Sequence, residues 1–219
     1  MSDVRVLPPS AQAELPAQHW TVRLHDLCTV VFLMVQLNLL WLVFTLLGGV
    51  VLGTAPATIA AAHCVREHGE GRLNRPVATF IRTWRSEFYG ANLALLPLAG
   101  MLTVLGWNYL VYSAAGPDAS LPRLATLAAL IVGGTVCTWL PGLYVHYDVP
   151  RSRFLLTGLR LTLGKPVFSV LQLLMVTAAV YASSKITLLP LVVAVGTWLY
   201  LSTWLTLRCF AQNEAFLAA

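Results

Sequence analysis

Between Asp26 and Arg66 the chain carries no formal charge. An uncharged run of thirty-nine residues is nearly twice what one helix needs to cross a bilayer, since about 20 residues at 1.5 Å rise span a ~30 Å core. The run must therefore break, and Gly48-Gly49 followed by Gly53-Thr54-Ala55-Pro56 supplies the means. Proline suits a helix's first turn, and threonine is a favoured cap just before it. The expectation is a full span over 27–47 and a shorter helix over 55–68, with the break marked by Gly53, Thr54 and Pro56. That second helix is either a thin crossing or a re-entrant segment packed inside the bundle.

The rest of the chain repeats the pattern. Four further apolar stretches, 89–112, 124–146, 167–183 and 186–207, are bounded by charge and flanked by rings such as Tyr89, Tyr112, Tyr144, Tyr147, Tyr181 and Trp204. Pro97, Pro141 and Pro190 fall inside or near them, which membrane helices tolerate when neighbours bond the freed carbonyls. Charged residues make up 11% of the chain and hydrophobic ones 58%, against about 25% charged in ordinary soluble domains. The expected fold is all-α: a polytopic transmembrane helix bundle of five full spans plus one short or re-entrant helix. Residues 1–26 form a polar lead-in, 27–210 one membrane domain and 211–219 a tail. The first apolar run is too long for the core of a cleaved signal, so it reads as a retained span.

Two basic segments lie between spans. In 76–89 the apolar residues Val77, Phe80, Ile81, Trp84 and Phe88 recur at three- and four-residue steps, with Arg75, Arg82, Arg85 and Glu87 off that stripe. In 150–165 Phe154, Leu155, Leu159 and Leu163 oppose Arg151, Arg153, Arg160 and Lys165. Both read as amphipathic helices in the headgroup plane. Phe80, Arg82, Trp84, Arg85, Phe88, Arg151 and Arg153 are the expected anchors for a partner or for headgroups, because arginine and large rings dominate such contacts. A helix, a basic helix and a second span thus occur twice, a hint of an internal repeat.

If 55–68 crosses the membrane, twelve of the fourteen basic residues share one face with both termini, leaving Arg123 and Lys185 opposite. If it does not, the ratio falls to ten against four. The sharper bias puts both termini in the cytoplasm. The net charge of +5 is scattered over these loops, which argues against nucleic acid as a partner.

Several residues could carry chemistry. Gln36 and Asn38 lie mid-span, where an unbonded amide is costly; with Asn92 and Asn108 they are candidates for a solute path or for interhelical bonds. Cys64 and His68 share a helix face beside His63, but a metal needs more ligands than that pair. His146-Tyr147-Asp148 could add two, and His146 or Asp148 would be the residues tested for a membrane enzyme. No metal or cofactor is expected. No span interior holds Asp, Glu, Lys or Arg apart from Arg208 near an end, which argues against a proton-coupled pump or an intramembrane protease. Nucleotide-binding and zincin motifs are absent from the sequence. The four cysteines sit in or beside apolar runs with no CxxC spacing, so a disulfide is not expected.

Asn38-Leu39-Leu40-Trp41, then Gly53-Thr54-Ala55-Pro56-Ala57 opening an Ala-rich helix, resembles the start of the YesL-type family of uncharacterised bacterial membrane proteins. Phe80-x3-Trp84-x3-Phe88 with interleaved arginines is similar to that family's aromatic segment, as is Tyr144-x-His146-Tyr147 leading to Leu159 and Lys165-Pro166. The likeness runs from about His25 to Arg208. It implies a non-catalytic accessory or assembly role in carbohydrate uptake, beside the membrane subunits of a sugar importer, in the lipid bilayer and with self-association as a further expectation. An autonomous small-solute transporter or channel is the alternative, and a membrane-embedded enzyme the second.

Overall fold

The computed structural model describes residues 15–185 and 193–217, and those residues fold into helices joined by short turns. In chain order they are α1 (Leu15–Leu47), α2 (Val51–Gly69), α3 (Pro76–Ser86), α4 (Phe88–Ala114), α5 (Ser120–His146), α6 (Arg151–Gly164), α7 (Pro166–Lys185) and α8 (Val195–Leu217). A 3-10 turn, Pro117–Ala119, precedes α5.

Among the described residues, four stretches are long and apolar enough to cross a membrane: Val22–Leu47, Phe88–Ala114, Ser120–His146 and Pro166–Lys185. They carry large apolar side chains on the outside, with Trp107 69% and Val167 74% exposed. In water such a surface would aggregate; hydrocarbon is the solvent it fits. The fifth span expected over 186–207 is described only from Val193, with its α-helix starting at Val195, because residues 186–192, Pro190 among them, lie outside the described residues. Helix α1 reaches back to Leu15, into the stretch read as a polar lead-in; the side chains of 15–21 and residues 1–14 also lie outside the described residues.

The first break differs from the expectation. The chain reverses at Gly48-Gly49-Val50, where Gly49 takes φ 77° and the amides of Gly49 and Val50 bond back to the carbonyls of Leu46 and Thr45. That is a Schellman stop, which wants glycine at the left-handed position. Helix α2 then starts at Val51, so Gly53, Thr54 and Pro56 lie inside it rather than marking the break. Thr54 caps nothing, and its hydroxyl donates to the Val51 carbonyl at 2.9 Å. Gly53 serves a close approach instead: a Cβ there would lie 2.8 Å from the Thr45 Cα. With Trp41 Nε1 donating to Thr58 Oγ1 at 3.0 Å, these contacts pair α1 and α2 as an antiparallel hairpin.

Helix α2 is the hub. Ala57, Ala60, Ala61, Ala62 and Cys64 are fully buried, and α1, α3, α4, α5 and α8 all pack on it. Small side chains let the neighbouring backbones come close, the usual means of helix association in lipid. Helices α4 and α5 form a second antiparallel hairpin, fixed by Glu87 against Tyr144 at one end and Leu102 over Gly133 further along. Helices α7 and α8 form a third, with Gln172 bonded to Ser202 and Thr206.

The two short basic helices are present, and each folds back on its predecessor. Helix α3 returns along α2, with Cys64 bonding the Pro76 carbonyl at 3.7 Å and Phe80 fully buried. Helix α6 returns along α5, with Phe154 buried and Gly158 so close that a Cβ would lie 2.8 Å from a Leu140 methyl. Both follow one spacing: Pro76, Phe80 and Thr83 in the first, Pro150, Phe154 and Thr157 in the second. The repeated helix-and-return unit is thus visible in packing as well as in order.

Candidate functional site: a polar cleft at one end of the bundle

The expected site residues do not meet in one place. Asn38 is fully buried and its Oδ1 accepts the Gly196 amide at 2.8 Å, bonding one of the first free N–H groups of α8. Asn92 is buried and donates to the carbonyls of Leu52 at 2.9 Å and Phe88 at 2.8 Å. The first of these bonds has a local cause. Pro56 has no N–H for the Leu52 carbonyl four residues earlier, and Asn92 supplies the missing donor from a neighbouring helix. Gln36 and Asn108 are half-buried and take part in neither contact.

Sequence reasoning missed Gln172. It is fully buried, and its Nε2 donates to the Ser202 carbonyl at 3.2 Å and to Thr206 Oγ1 at 2.9 Å. Trp139, also fully buried, donates to Ser169 Oγ at 3.2 Å. These polar groups bind helix to helix.

The aromatic anchors expected on the first basic helix turn inward. Phe80, Trp84 and Phe88 form a run of rings with Phe44: Phe44 to Phe80 at 5.4 Å, Phe44 to Trp84 at 5.1 Å and Trp84 to Phe88 at 5.1 Å. Phe80 is fully buried and Trp84 and Phe88 are half-buried in this run of rings, while Val77 on the same stripe is exposed. Arg82, Arg85 and Arg153 remain outside. The side chain of Arg151 lies outside the described residues. Among the described residues no three His, Cys, Asp or Glu side chains gather in a way that could hold a metal.

What the fold does assemble is a cleft of about 550 Å³ lined by Arg66, Glu87, Tyr144, His146, Tyr147 and Asp148, with Phe154 closing one side. Five pieces of chain build it. Arg66 comes from the last turns of α2, and Glu87 is the single residue joining α3 to α4. Tyr144 and His146 end α5. The chain then runs extended through Tyr147 (φ −118°, ψ 139°) until Pro150 precedes α6, as expected of a residue stretch ahead of proline. The same Tyr147-Asp148-Val149 segment walls a second hollow of about 380 Å³ on its other side, with Lys165, Phe210 and Asn213.

Charge pairing orders the cleft. Arg66 donates through Nε to Glu70 Oε1 at 3.0 Å and through Nη1 to the Val145 carbonyl. It thereby satisfies a last-turn carbonyl of α5 that no backbone donor reaches. Tyr144 donates its hydroxyl to Glu87 Oε2 at 2.6 Å, a short charge-assisted bond. At the rim, His146 Nε2 and the Tyr147 hydroxyl both meet Glu214 Oε1 at 3.0 Å, tying the end of α8 to the end of α5. The bonds from His146 and then Tyr147 hold the Glu214 carboxyl below its ordinary range. Burial, and then the bond to Glu214, pushes the Tyr147 phenol up.

Comparison with known proteins places this architecture. Residues 34–109, from mid-α1 into α4, match the family described as protein of unknown function DUF624. YteU of Bacillus subtilis (strain 168) is 30% identical over 162 residues, covering 71% of each chain. The chain belongs to this family. Two further relatives of this DUF624 protein come from the same organism. YesV is 34% identical over 130 residues, covering 58% of this chain and 62% of YesV. YesL is 27% identical over 153 residues, covering 68% of this chain and 71% of YesL. All three relatives are described as uncharacterized. No solved structure matches. The YesL-type likeness read from the residues is thus established.

Proposed function

We propose that this DUF624 protein is a non-catalytic accessory or assembly subunit of a membrane system for carbohydrate uptake, set in the cell membrane with both termini in the cytoplasm. The observation that carries the reading is a division of polar groups. Asn38, Asn92 and Gln172 are engaged in bonds between or within helices, whereas the charged residues and rings collect in an open cleft at one end of the bundle. A protein that serves by holding a partner needs a rigid interior and a reachable polar end. The orientation rests on the distribution of basic residues, the link to carbohydrate on the YesL-type resemblance, and the exposed Arg82, Arg85 and Arg153 supply headgroup contacts worth about 1 kcal/mol each.

Extraction in mild detergent from a strain expressing an importer tests this. Permease or ATPase subunits should co-purify with the wild-type protein. Recovery of the protein alone, as a monomer, from cells that contain those subunits would count against the reading. Solute flux into liposomes holding this protein alone would favour an autonomous transporter with a path past Gln36, Asn38, Asn92 and Asn108.

A further inference from the structure

We infer that the cleft between α2, α4, α5 and α6 binds an organic cation: a compact ammonium group, brought either as a free small amine or as the headgroup of a membrane lipid. The inference stands apart from the accessory role, since it concerns the protein alone.

The charge on the cleft wall decides the sign of the ligand. Among the described residues lining it Arg66 is the arginine, and that guanidinium is already bonded to Glu70 and to the Val145 carbonyl. An anion would have to compete with Glu70 for it. The acidic side is less occupied. Glu87 uses Oε2 to accept the Tyr144 hydroxyl, and its other oxygen takes part in no bond among the described residues. Asp148 is exposed at the mouth and forms no ion pair with any described residue. Among the described residues the cleft thus presents two carboxylates with spare acceptor capacity and one arginine already paired with Glu70.

The remaining lining mixes rings with small and aliphatic residues such as Ala94, Val149 and Pro150. Tyr144 and Phe154 line the cleft with the carboxylates and meet edge-on at 5.9 Å, while His146 and Tyr147, also in the lining, pack against Phe210. Ring faces attract a desolvating cation through their quadrupole, and carboxylates beside rings are the combination that recognises ammonium groups. A hollow of about 550 Å³ lies within the range of small-molecule sites. Glu87 is held in place from two sides: it is fixed at the α3–α4 junction, where its amide bonds the Thr83 carbonyl, and its carboxylate is steadied by Tyr144. The acceptor is therefore set before any ligand arrives.

The test uses the full-length protein in detergent, titrated calorimetrically with tetramethylammonium and with ethanolamine, and the same protein in nanodiscs of phosphatidylethanolamine or phosphatidylglycerol. Glu87→Gln keeps an acceptor for Tyr144 while removing the charge, and Asp148→Asn does the same at the mouth; Asp118→Asn, in the turn before α5, is the control. Saturable binding of a free amine is expected, weakened about tenfold by either cleft variant, as for loss of one charged partner, weakened by salt and unchanged in the control. If the lipid is the source, the wild type is more heat-stable in phosphatidylethanolamine than in phosphatidylglycerol, and both cleft variants lose that difference. Absence of both responses, or cation binding that survives both variants, would overturn the inference. So would preferential binding of sulfate or of a neutral polyol such as glycerol.

Discussion

Replacing Asn92 by leucine removes a side chain that stands in for a missing backbone donor. The amide makes two bonds, to Leu52 at 2.9 Å and to Phe88 at 2.8 Å. The Phe88 carbonyl lies four residues back in α4 and keeps its own helical donor, so losing that bond costs little. The Leu52 carbonyl has no substitute, because Pro56 occupies the position whose N–H would bond it. Stranding an acceptor away from water costs about 1–3 kcal/mol, while interhelical bonds in membranes average nearer 0.6 kcal/mol. Asn92→Leu should therefore cost about 1–2 kcal/mol, a fall of roughly 2–8 °C in melting temperature for a chain of this size. The decisive arm is Pro56→Ala, which returns a backbone N–H to α2. In that background Asn92→Leu should cost less than about half as much, a coupling of the kind double-mutant cycles measure between neighbouring groups. The readout is thermal unfolding in mild detergent followed by far-ultraviolet circular dichroism. An equal loss in both backgrounds would refute the claim that Asn92 compensates for the proline.

Other contacts carry expectations of their own. Gly142→Ala should lower the melting temperature by loosening α5 from α8, since its Cβ would lie 2.8 Å from Thr206 Cβ and overpacking costs about 1–3 kcal/mol; Gly134→Ala, with open space at that position, is the comparison. Phe80→Ala should destabilise the bundle by about 3–5 kcal/mol, visible as lost yield and a lower melting point, whereas Arg82→Ala and Arg85→Ala should leave both near wild type. The rim contact should also respond to pH. Because Glu214 is held below its ordinary value of 4.5, its contribution is complete above that value and fades as pH falls through the lowered one. Melting temperatures of wild type and Glu214→Gln, compared from pH 7 down to 3, should differ most at neutrality and converge in acid; a constant gap would argue against the assignment.

Much of the bundle was legible because charge and proline punctuate the chain. The stretches expected at 89–112, 124–146 and 167–183 became helices only a few residues longer, at one end or both. The break after the first span was misread for a physical reason. Local rules place proline in a first turn, and nothing near Pro56 announces that Asn92, forty positions away, will bond the carbonyl it frees. The aromatic stripe of 76–89 shows the limit of periodicity. Spacing identifies an apolar face, but Phe44, which covers it, belongs to another helix. The cleft was legible only in part. Tyr144, His146 and Tyr147 stood out as a short motif, while Glu87 looked like an ordinary charge off a helix stripe, and Arg66 and Glu214 carried no mark at all. Their meeting depends on how α2, α4, α5 and α8 converge, which sequence spacing does not encode.

The claim on which the rest depends is that α1, α4, α5 and α7 have their outward apolar faces in hydrocarbon. Membranes from cells expressing the intact protein, washed in alkaline carbonate and then treated with mild detergent, put it to the test. The account predicts that the protein stays in the membrane pellet through carbonate and enters solution only with detergent. Release by carbonate as a folded, dispersed helical protein would contradict it.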